Sequence, residues 1–595
     1  MEKSKITKSL AVFASVLLII IIGVASFAYF GTFNVNLNNN VAVNINSSSP
    51  GNATFTSNAT QLNLQVPAAN MSFTVANNEV AAASNTAFLD VTLTGSQNLL
   101  TTCTYDIVYE YDAGSNVYGQ GTTTKTGDAT KEITIEVNGM NGNNHFATET
   151  NFDHANIQGY YDSTNKYYKL VEGATIKSLG STQSVRWKII GRYYNLDVSQ
   201  AQLGGKNFTG KIYAISKGCS SEDGTTVKKG YETILANNGG AASMTTLTST
   251  DFAKVTTASD KGMYKAQDDL GTSYYFRGAV DNNWVKYGKY TKDTYITADS
   301  NNNISLVESC NGLNLCAKIA SKGDDMYWRI IRINGDNSIR MIYTGTSAPD
   351  NNTKVVMTES TNSSGYIRAT SAGMSKFNQN SNSAEYVGYM YTIGEQHGTS
   401  KSSDIKTYLE DWYANYTDLN KTGTKITDQI YCNDRTASTS NVAYSTTNYT
   451  TLTSWNSTGT TYYYGANGRV WNDPVSPDYK CPVSSDKFTT TTAKGNGKLT
   501  YPVGLITADE ITFAGLPGDK TNNSFYLYTG AYYWAGSPYV FFVDDVESSG
   551  VLVNVDGSLR RDSVYGNYGV RGVVSLSSES KLLGSGTYYD VYIVS

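Results

Sequence analysis

No charged side chain occurs between Ser9 and Phe30, and Lys3, Lys5 and Lys8 stand immediately before that apolar run. A stretch of about 20 apolar residues matches the thickness of a bilayer core. Basic residues on its N-terminal side place that end in the cytoplasm and the rest of the chain outside. A cleaved signal peptide has an apolar core of about 7–15 residues and a small-x-small site after it. Here the run is longer, and Ala25-Ser26-Phe27-Ala28 is a poor site. The expectation is a basic cytoplasmic flank over 1–8, an uncleaved transmembrane anchor over 9–30, and an extracellular bulk on a single-pass cell-membrane protein.

The chain beyond the anchor is long enough for several domains with their own cores. Six cysteines lie in it, at 103, 219, 310, 316, 432 and 481. An even set outside the cell reads as disulfides. Keeping each pair within one unit gives Cys103–Cys219, Cys310–Cys316 and Cys432–Cys481, although six cysteines also permit other connectivities. Zinc does not fit, because there is no Cys-x2-Cys and His145, His154 and His397 are scattered. Neither a metal nor a cofactor is expected. The net charge of −5 is small and no Lys/Arg block occurs beyond the N-terminal flank, which argues against nucleic acid as a partner.

Gly, Asn, Ser, Thr and Tyr are abundant, Pro is scarce, and helical periodicity is rare, so the fold class is mainly β. Apolar residues alternate with polar ones at Val35 and Leu37, at Val41, Val43 and Ile45, and at Leu62, Leu64 and Val66. That is the two-residue period of strands, broken by turn residues. Further strands are expected at Met71–Val75, Ala87–Leu93, Cys103–Tyr111, Glu132–Val137, Val185–Arg192 and Lys211–Ser216. Several short strands between polar turns predict a β-sandwich over 31–220, Ig-like by loose analogy, which could be a passive stalk or a binding module. Residues 221–261, rich in Gly, Ser and Thr, read as a linker with one weak helix near Tyr231–Ala236.

From Gly262 aromatic residues become frequent. One hairpin is expected between Tyr274–Gly278 and Val280–Tyr287, turning at Asp281–Asn283. A second joins Tyr327–Ile333 to Ser338–Tyr343 through Asn334-Gly335, a strong hairpin signal between β-branched runs. Ser402 or Ser403 can cap a helix whose apolar face is Ile405, Tyr408, Leu409 and Trp412. Thr507 and Glu510 form a capping box, with Gly515 as the stop and Pro517 beyond it. Short strands run from Tyr526 to Ile593.

Several phrases in this order resemble a domain of exported proteins from Gram-positive gut bacteria. They are Tyr327-Trp328-Arg329-Ile330-Ile331-Arg332-Ile333-Asn334-Gly335, Lys494-Gly495-Asn496-Gly497, Tyr501-Pro502-Val503-Gly504-Leu505-Ile506-Thr507-Ala508-Asp509-Glu510, Tyr532-Tyr533-Trp534, Ser537-Pro538 and Tyr568-Gly569-Val570-Arg571. The resemblance covers 262–595. It implies an α+β, C-type-lectin-like domain, a fold shared with formylglycine-generating enzymes and with the variable proteins of diversity-generating retroelements. Where relatives read Gly-Val-Arg-Pro-Val, this chain has Gly572 in place of the Pro.

Formylglycine-generating chemistry needs a cysteine pair near the C-terminal end, and no Cys lies beyond 481. No Gly-x-Ser-x-Gly, His-Glu-x-x-His or phosphate loop occurs, and the few histidines have no obvious nucleophile beside them, so no enzyme is expected. Asp544 and Asp545 are neighbours that point to opposite faces of a strand, which suits solvated loop charge better than a glycosidase couple. Trp471-Asn472-Asp473 is similar to a triplet of calcium-dependent lectins but lacks its Glu-Pro-Asn partner, and a structural loop is the better reading. The Asp299–Asn303 loop lacks the fixed Gly and terminal Glu of an EF-hand and reads as a turn.

Between Tyr539 and Asn567 the interior departs from the family phrases while both flanks keep them. In the retroelement-variable relatives the ligand face lies in the corresponding stretch. The resemblance therefore implies a ligand face of Tyr539, Phe541, Asp544, Glu547, Asn554, Asp556, Ser558, Arg560, Asp562 and Tyr565, against the plain alternative of ordinary surface strands. The expected function is an adhesin-like surface protein that recognises an extracellular protein or glycan and touches the membrane through its N-terminal helix. The alternatives are a structural envelope protein without a specific ligand and, less well supported, a wall or glycan hydrolase.

Overall fold

The computed structural model describes residues 53–66, 81–95, 98–112, 132–139, 141–152, 157–194, 204–311, 316–347, 349, 372–438, 462–542 and 545–595. The anchor at 9–30, its flank at 1–8, the strands expected at 35–45 and 71–75, His154 and Asp544 lie outside them. Among the described residues no helix is long and apolar enough to cross a membrane.

The described chain is mainly strand, arranged around two large hydrophobic cores, with two small satellite clusters in the second unit. The first unit contains β1 (Thr54–Ser57), β2 (Thr60–Gln65), β3 (Ala81–Thr94), β4 (Leu99–Tyr111), β5 (Ile133–Asn138), β6 (Asn143–Asn144), β7 (Thr150–Asn151), β8 (Tyr161–Asp162), β9 (Tyr167–Leu179), β10 (Thr182–Tyr194) and β11 (Asn207–Asp223). One sheet runs β1-β3-β10-β5-β7 and the other β2-β11-β4-β9-β6, with β8 on β9. The alternation works as expected: Leu62, Leu64 and Val66 are buried with Leu89, Val91 and Leu93 of the opposite sheet. Trp187 of β10 spans the core and donates from Nε1 to the Tyr105 hydroxyl of β4 at 3.0 Å. Cys103 and Cys219 face each other across β4 and β11 and are bonded. That bond ties neighbouring strands of one sheet, whereas the Ig-like analogy has it crossing between sheets.

Residues 221–261 are not a linker. β11 continues to Asp223, and α1 (Gly230–Asn237) and α2 (Ser249–Phe252) come after it. Ile234 and Met244 are buried in the second core, and Phe252 stacks edge-on against Phe513. Three apolar anchors spaced along a polar stretch are enough to dock it, and overall composition conceals them.

The second unit adds β12 (Lys261–Asp268), β13 (Gly271–Gly278), β14 (Trp284–Lys289), β15 (Thr294–Ala298), β16 (Ile304–Val307), β17 (Cys316–Ala320), β18 (Asp325–Ile333), β19 (Ile339–Gly345), β20 (Met374–Lys376), β21 (Met390–Tyr391), β22 (Lys401–Ser402), β23 (Tyr431–Cys432), β24 (Tyr462–Tyr463), β25 (Lys487–Phe488), β26 (Tyr533–Phe542), β27 (Glu547–Val553), β28 (Leu559–Ser563), β29 (Asn567–Gly569), β30 (Val573–Leu576), β31 (Leu582–Leu583) and β32 (Tyr592–Val594). β18 is its central strand: β13 and β14 pair with it, and so does β19, which continues to β30. The Asn-Gly hairpin therefore forms as read. The first hairpin does not. β13 pairs with β12, while β14 joins β18 and, in parallel, β32. Asn283 fixes that choice, since it exchanges backbone and side-chain hydrogen bonds with Ile330 at 2.8 Å each.

Helix α3 (Asp404–Asp411) buries Ile405, Tyr408 and Leu409, and Trp412 continues the stripe at its end. Ser403 caps it by accepting from Lys406 N, and its hydroxyl also donates to Tyr389 O at 2.8 Å. A Ser403→Ala change is expected to cost about 1–2 kcal/mol, read as a lower urea midpoint with unchanged slope. A Cβ at Gly572 would come within 2.7 Å of the Trp412 ring. The indole therefore occupies the space that a side chain at 572 would need. After α4 (Gly465–Trp471), helix α5 (Ala508–Phe513) has the full Thr507/Glu510 capping box.

Candidate functional site

Strands β26 to β29 join β20 in the sheet β20-β29-β26-β27-β28, with β24 on β26. Tyr539 is half-buried on β26, and its ring meets Trp471 edge-on at 5.0 Å and Tyr463 at 6.0 Å. Burial first, then the neighbouring Tyr463 and Asp519, push its phenol up to about 12, so it stays a neutral donor. Trp471 ends α4, and Gly518 lies so close that a Cβ there would sit 2.6 Å from the indole. All three rings are partly exposed. Next to them Arg561 lies over the Phe542 ring at 4.4 Å.

The residues expected to form the ligand face are not brought together as one surface. Phe541 is 1% exposed and Ser558 2% exposed, so neither presents a side chain. Two register shifts along β26, between Trp534 and Val540, break the alternation expected of a regular strand. Phe541 consequently packs into the core. Ser558 is held in the Asn554–Ser558 turn, donating from its hydroxyl and backbone N to Asp556 at 2.6 and 2.9 Å. Glu547, Asn554 and Asp562 are half-buried, the last bonded to the Tyr568 hydroxyl, whereas Asp556, Arg560 and Tyr565 are exposed. Sequence reasoning missed Tyr463, Trp471, Phe542 and Arg561. Trp471 was legible only as part of the Trp-Asn-Asp triplet.

Several charged residues of the quoted phrases lie elsewhere, in a buried charged knot. Glu510 Oε1 lies 2.6 Å from Arg340 Nε and accepts from Arg332 Nε at 3.2 Å, Arg340 Nη2 donates to Oε2 at 3.4 Å, and Arg332 also reaches Asp268 at 2.6 Å. Burial resists ionisation of Glu510, but the two guanidiniums outweigh it and hold the carboxyl below its ordinary value. Arg469 bridges Asp434 and Asp509 at 2.8 Å each, and Lys494 holds Asp336 of the Asn-Gly turn at 2.6 Å. Arg571 is buried, donating to the carbonyls of Tyr343 and Leu527. The cavity inside this knot is about 30 Å³, room for a single water. These side chains hold the fold and leave no room for a ligand.

Both described histidines are likewise engaged by carboxylates. His145 pairs with Glu172 and His397 with Asp486, each at 2.8 Å, and Asp486 is itself gripped by buried Arg435. The Asp299 loop is a turn: Asp299 accepts from the backbone of Asn301 and of Asn303 at 2.8 Å. The remaining disulfides are Cys310–Cys316 and Cys432–Cys481, the pairs that fall within one unit. No family model, curated protein or solved structure matches the chain. Geometry alone therefore bears on its function.

Proposed function

We propose that the chain is a membrane-anchored extracellular surface protein in which an Ig-like sandwich stalk carries a C-type-lectin-like head that recognises a protein or glycan ligand. The observation that supports this reading is the contacting, part-exposed trio Tyr463, Trp471 and Tyr539 beside Phe542–Arg561. Flat rings with a polar handle supply contact area at low entropic cost, which is why recognition surfaces favour them. The ligand face is re-centred on that trio, with Arg560, Asp556 and Tyr565 as neighbours on the same C-terminal stretch. Loops can vary there while the buried charged knot keeps the fold.

The test is binding of the detergent-solubilised full chain to a glycan array. Wild type is expected to bind a defined glycan class. Tyr539→Ala and Trp471→Ala should each weaken that binding by roughly 2 kcal/mol, about thirtyfold, with secondary structure retained. Tyr589→Ala, at a residue 57% exposed, should leave it unchanged. Binding that survives both aromatic substitutions would remove this reading and leave the envelope role.

A further inference from the structure

Lys376, the last residue of β20, is only 2% exposed. Among the described residues no carboxylate comes within ion-pairing distance of its ammonium. Nζ instead lies 3.0 Å from Oδ1 of Asn303 and 3.4 Å from Asn301 O, under the Tyr565 ring at 3.9 Å from its centroid. The Asn303 amide is fixed in orientation, because Nδ2 donates to Asp299 Oδ2 at 2.9 Å. With a C=O bond of about 1.2 Å, Asn303 Cγ is no more than about 4.2 Å from Nζ at any angle. Asp404, at the start of α3, lines the same cleft of about 530 Å³ as Lys376 and Asn303. Its carboxylate has no hydrogen-bond partner among the described residues. Burial keeps its carboxyl above the ordinary value, with the Lys376 charge opposing.

A desolvated amine, a carboxamide held against it and a nearby carboxyl are the components of amide exchange. We propose that Lys376 and Asn303 become joined by an intramolecular isopeptide bond. Asp404 stands beyond ion-pairing distance, so one proton passes from the Lys376 ammonium to it through a water in the shared cleft, and the freed lone pair attacks Asn303 Cγ. Asp404 returns that proton to Nδ2, the Cγ–Nδ2 bond breaks, and the carbonyl re-forms. The second Nζ proton leaves with the released ammonia as ammonium, so charge and atoms balance and no co-reactant is consumed. Asp299 positions the amide, and the Tyr565 ring covers the amine on one side. Fixed proximity supplies the rate, since well-oriented intramolecular partners reach effective molarities of roughly 10⁵ M or more. The product ties the small sheet β15–β17, which also carries the Cys310–Cys316 bond, to the sheet containing β26–β28.

Intact-mass measurement of the denatured full chain tests this directly. Wild type is expected to weigh less, by one ammonia, than its sequence with three disulfides. Trypsin should leave the bond after Lys376 uncut and release a branched peptide containing both Asn303 and Lys376. Lys376→Arg, Asn303→Ala and Asp404→Asn should each restore the missing mass. A wild-type chain at full mass with ordinary cleavage after Lys376 would overturn the proposal. So would a deficit that persists in Lys376→Arg. The wild-type reading decides the matter even where a variant folds poorly.

Discussion

A Glu510→Gln variant is expected to lose about 3–5 kcal/mol of stability in the second unit, because removing one partner of a buried ion cluster strands the other charges. Gln can still occupy the third position of a capping box, so the helix start is kept and the loss reports the charge alone. Arg332 and Arg340 would remain buried, with Asp268 as the former's remaining carboxylate. The same pairing fixes the pH response. The Glu510 carboxyl is held below its ordinary value in the folded protein, so its contribution is fully present above the unfolded value, near 4.5. It is lost as pH falls through the lower folded value. Urea melts between pH 7 and pH 3 should therefore show wild type falling towards the variant as acid is added. Parallel wild-type and variant curves across that range would refute the assigned role.

The features legible in the chain are those that repeat locally. The alternation at Leu62, Leu64 and Val66, the stripe Ile405, Tyr408, Leu409 and Trp412, the Thr507/Glu510 box and the Asn334-Gly335 turn each need only a few neighbouring residues, and each forms. The cysteine pairs come from keeping each within one unit. The features that escape such reading depend on distant partners. β9 is hidden because Gly173, at positive φ, and the charged Lys169 and Glu172 interrupt its pattern. β14 takes a neighbour other than β13 because Asn283 bonds to Ile330, far along the chain. The ligand face fails at Phe541 because register shifts in β26 are invisible to a two-residue period. The Lys376–Asn303 contact lies between residues with no shared motif. Arg332, Asp509 and Glu510, far apart in the chain, meet in one buried charged cluster, and their packing there reveals little about a ligand.

Replacing Cys103 and Cys219 together by Ala should destabilise the first unit by about 3–5 kcal/mol, the range expected when a cross-link closing a loop of about 100 residues is removed. The bond here spans 116 residues, and Ala avoids leaving a buried hydroxyl unpaired at position 103, which is fully buried. The Cys310–Cys316 bond spans only 6 residues, so the same relation gives its removal about 2 kcal/mol. Where each loss appears is also predicted. The two units touch through polar contacts: Lys286 Nζ to Ser184 O at 2.5 Å, Arg186 Nη1 to Lys322 O at 3.0 Å, Gln183 to Val594 O at 3.2 Å and the Ser595 hydroxyl to Leu179 O at 2.8 Å. Polar contacts between separate cores resemble a transient interface and do not enforce joint unfolding. Calorimetry should therefore resolve two transitions, the Cys103/Cys219 variant lowering one and Glu510→Gln the other. A single transition lowered by both variants would mean that the buried Lys286–Asp325 pair of the second unit, through its bonds to Ser184 and Arg186 of the first, couples the units and makes the sandwich part of the second unit's own stability.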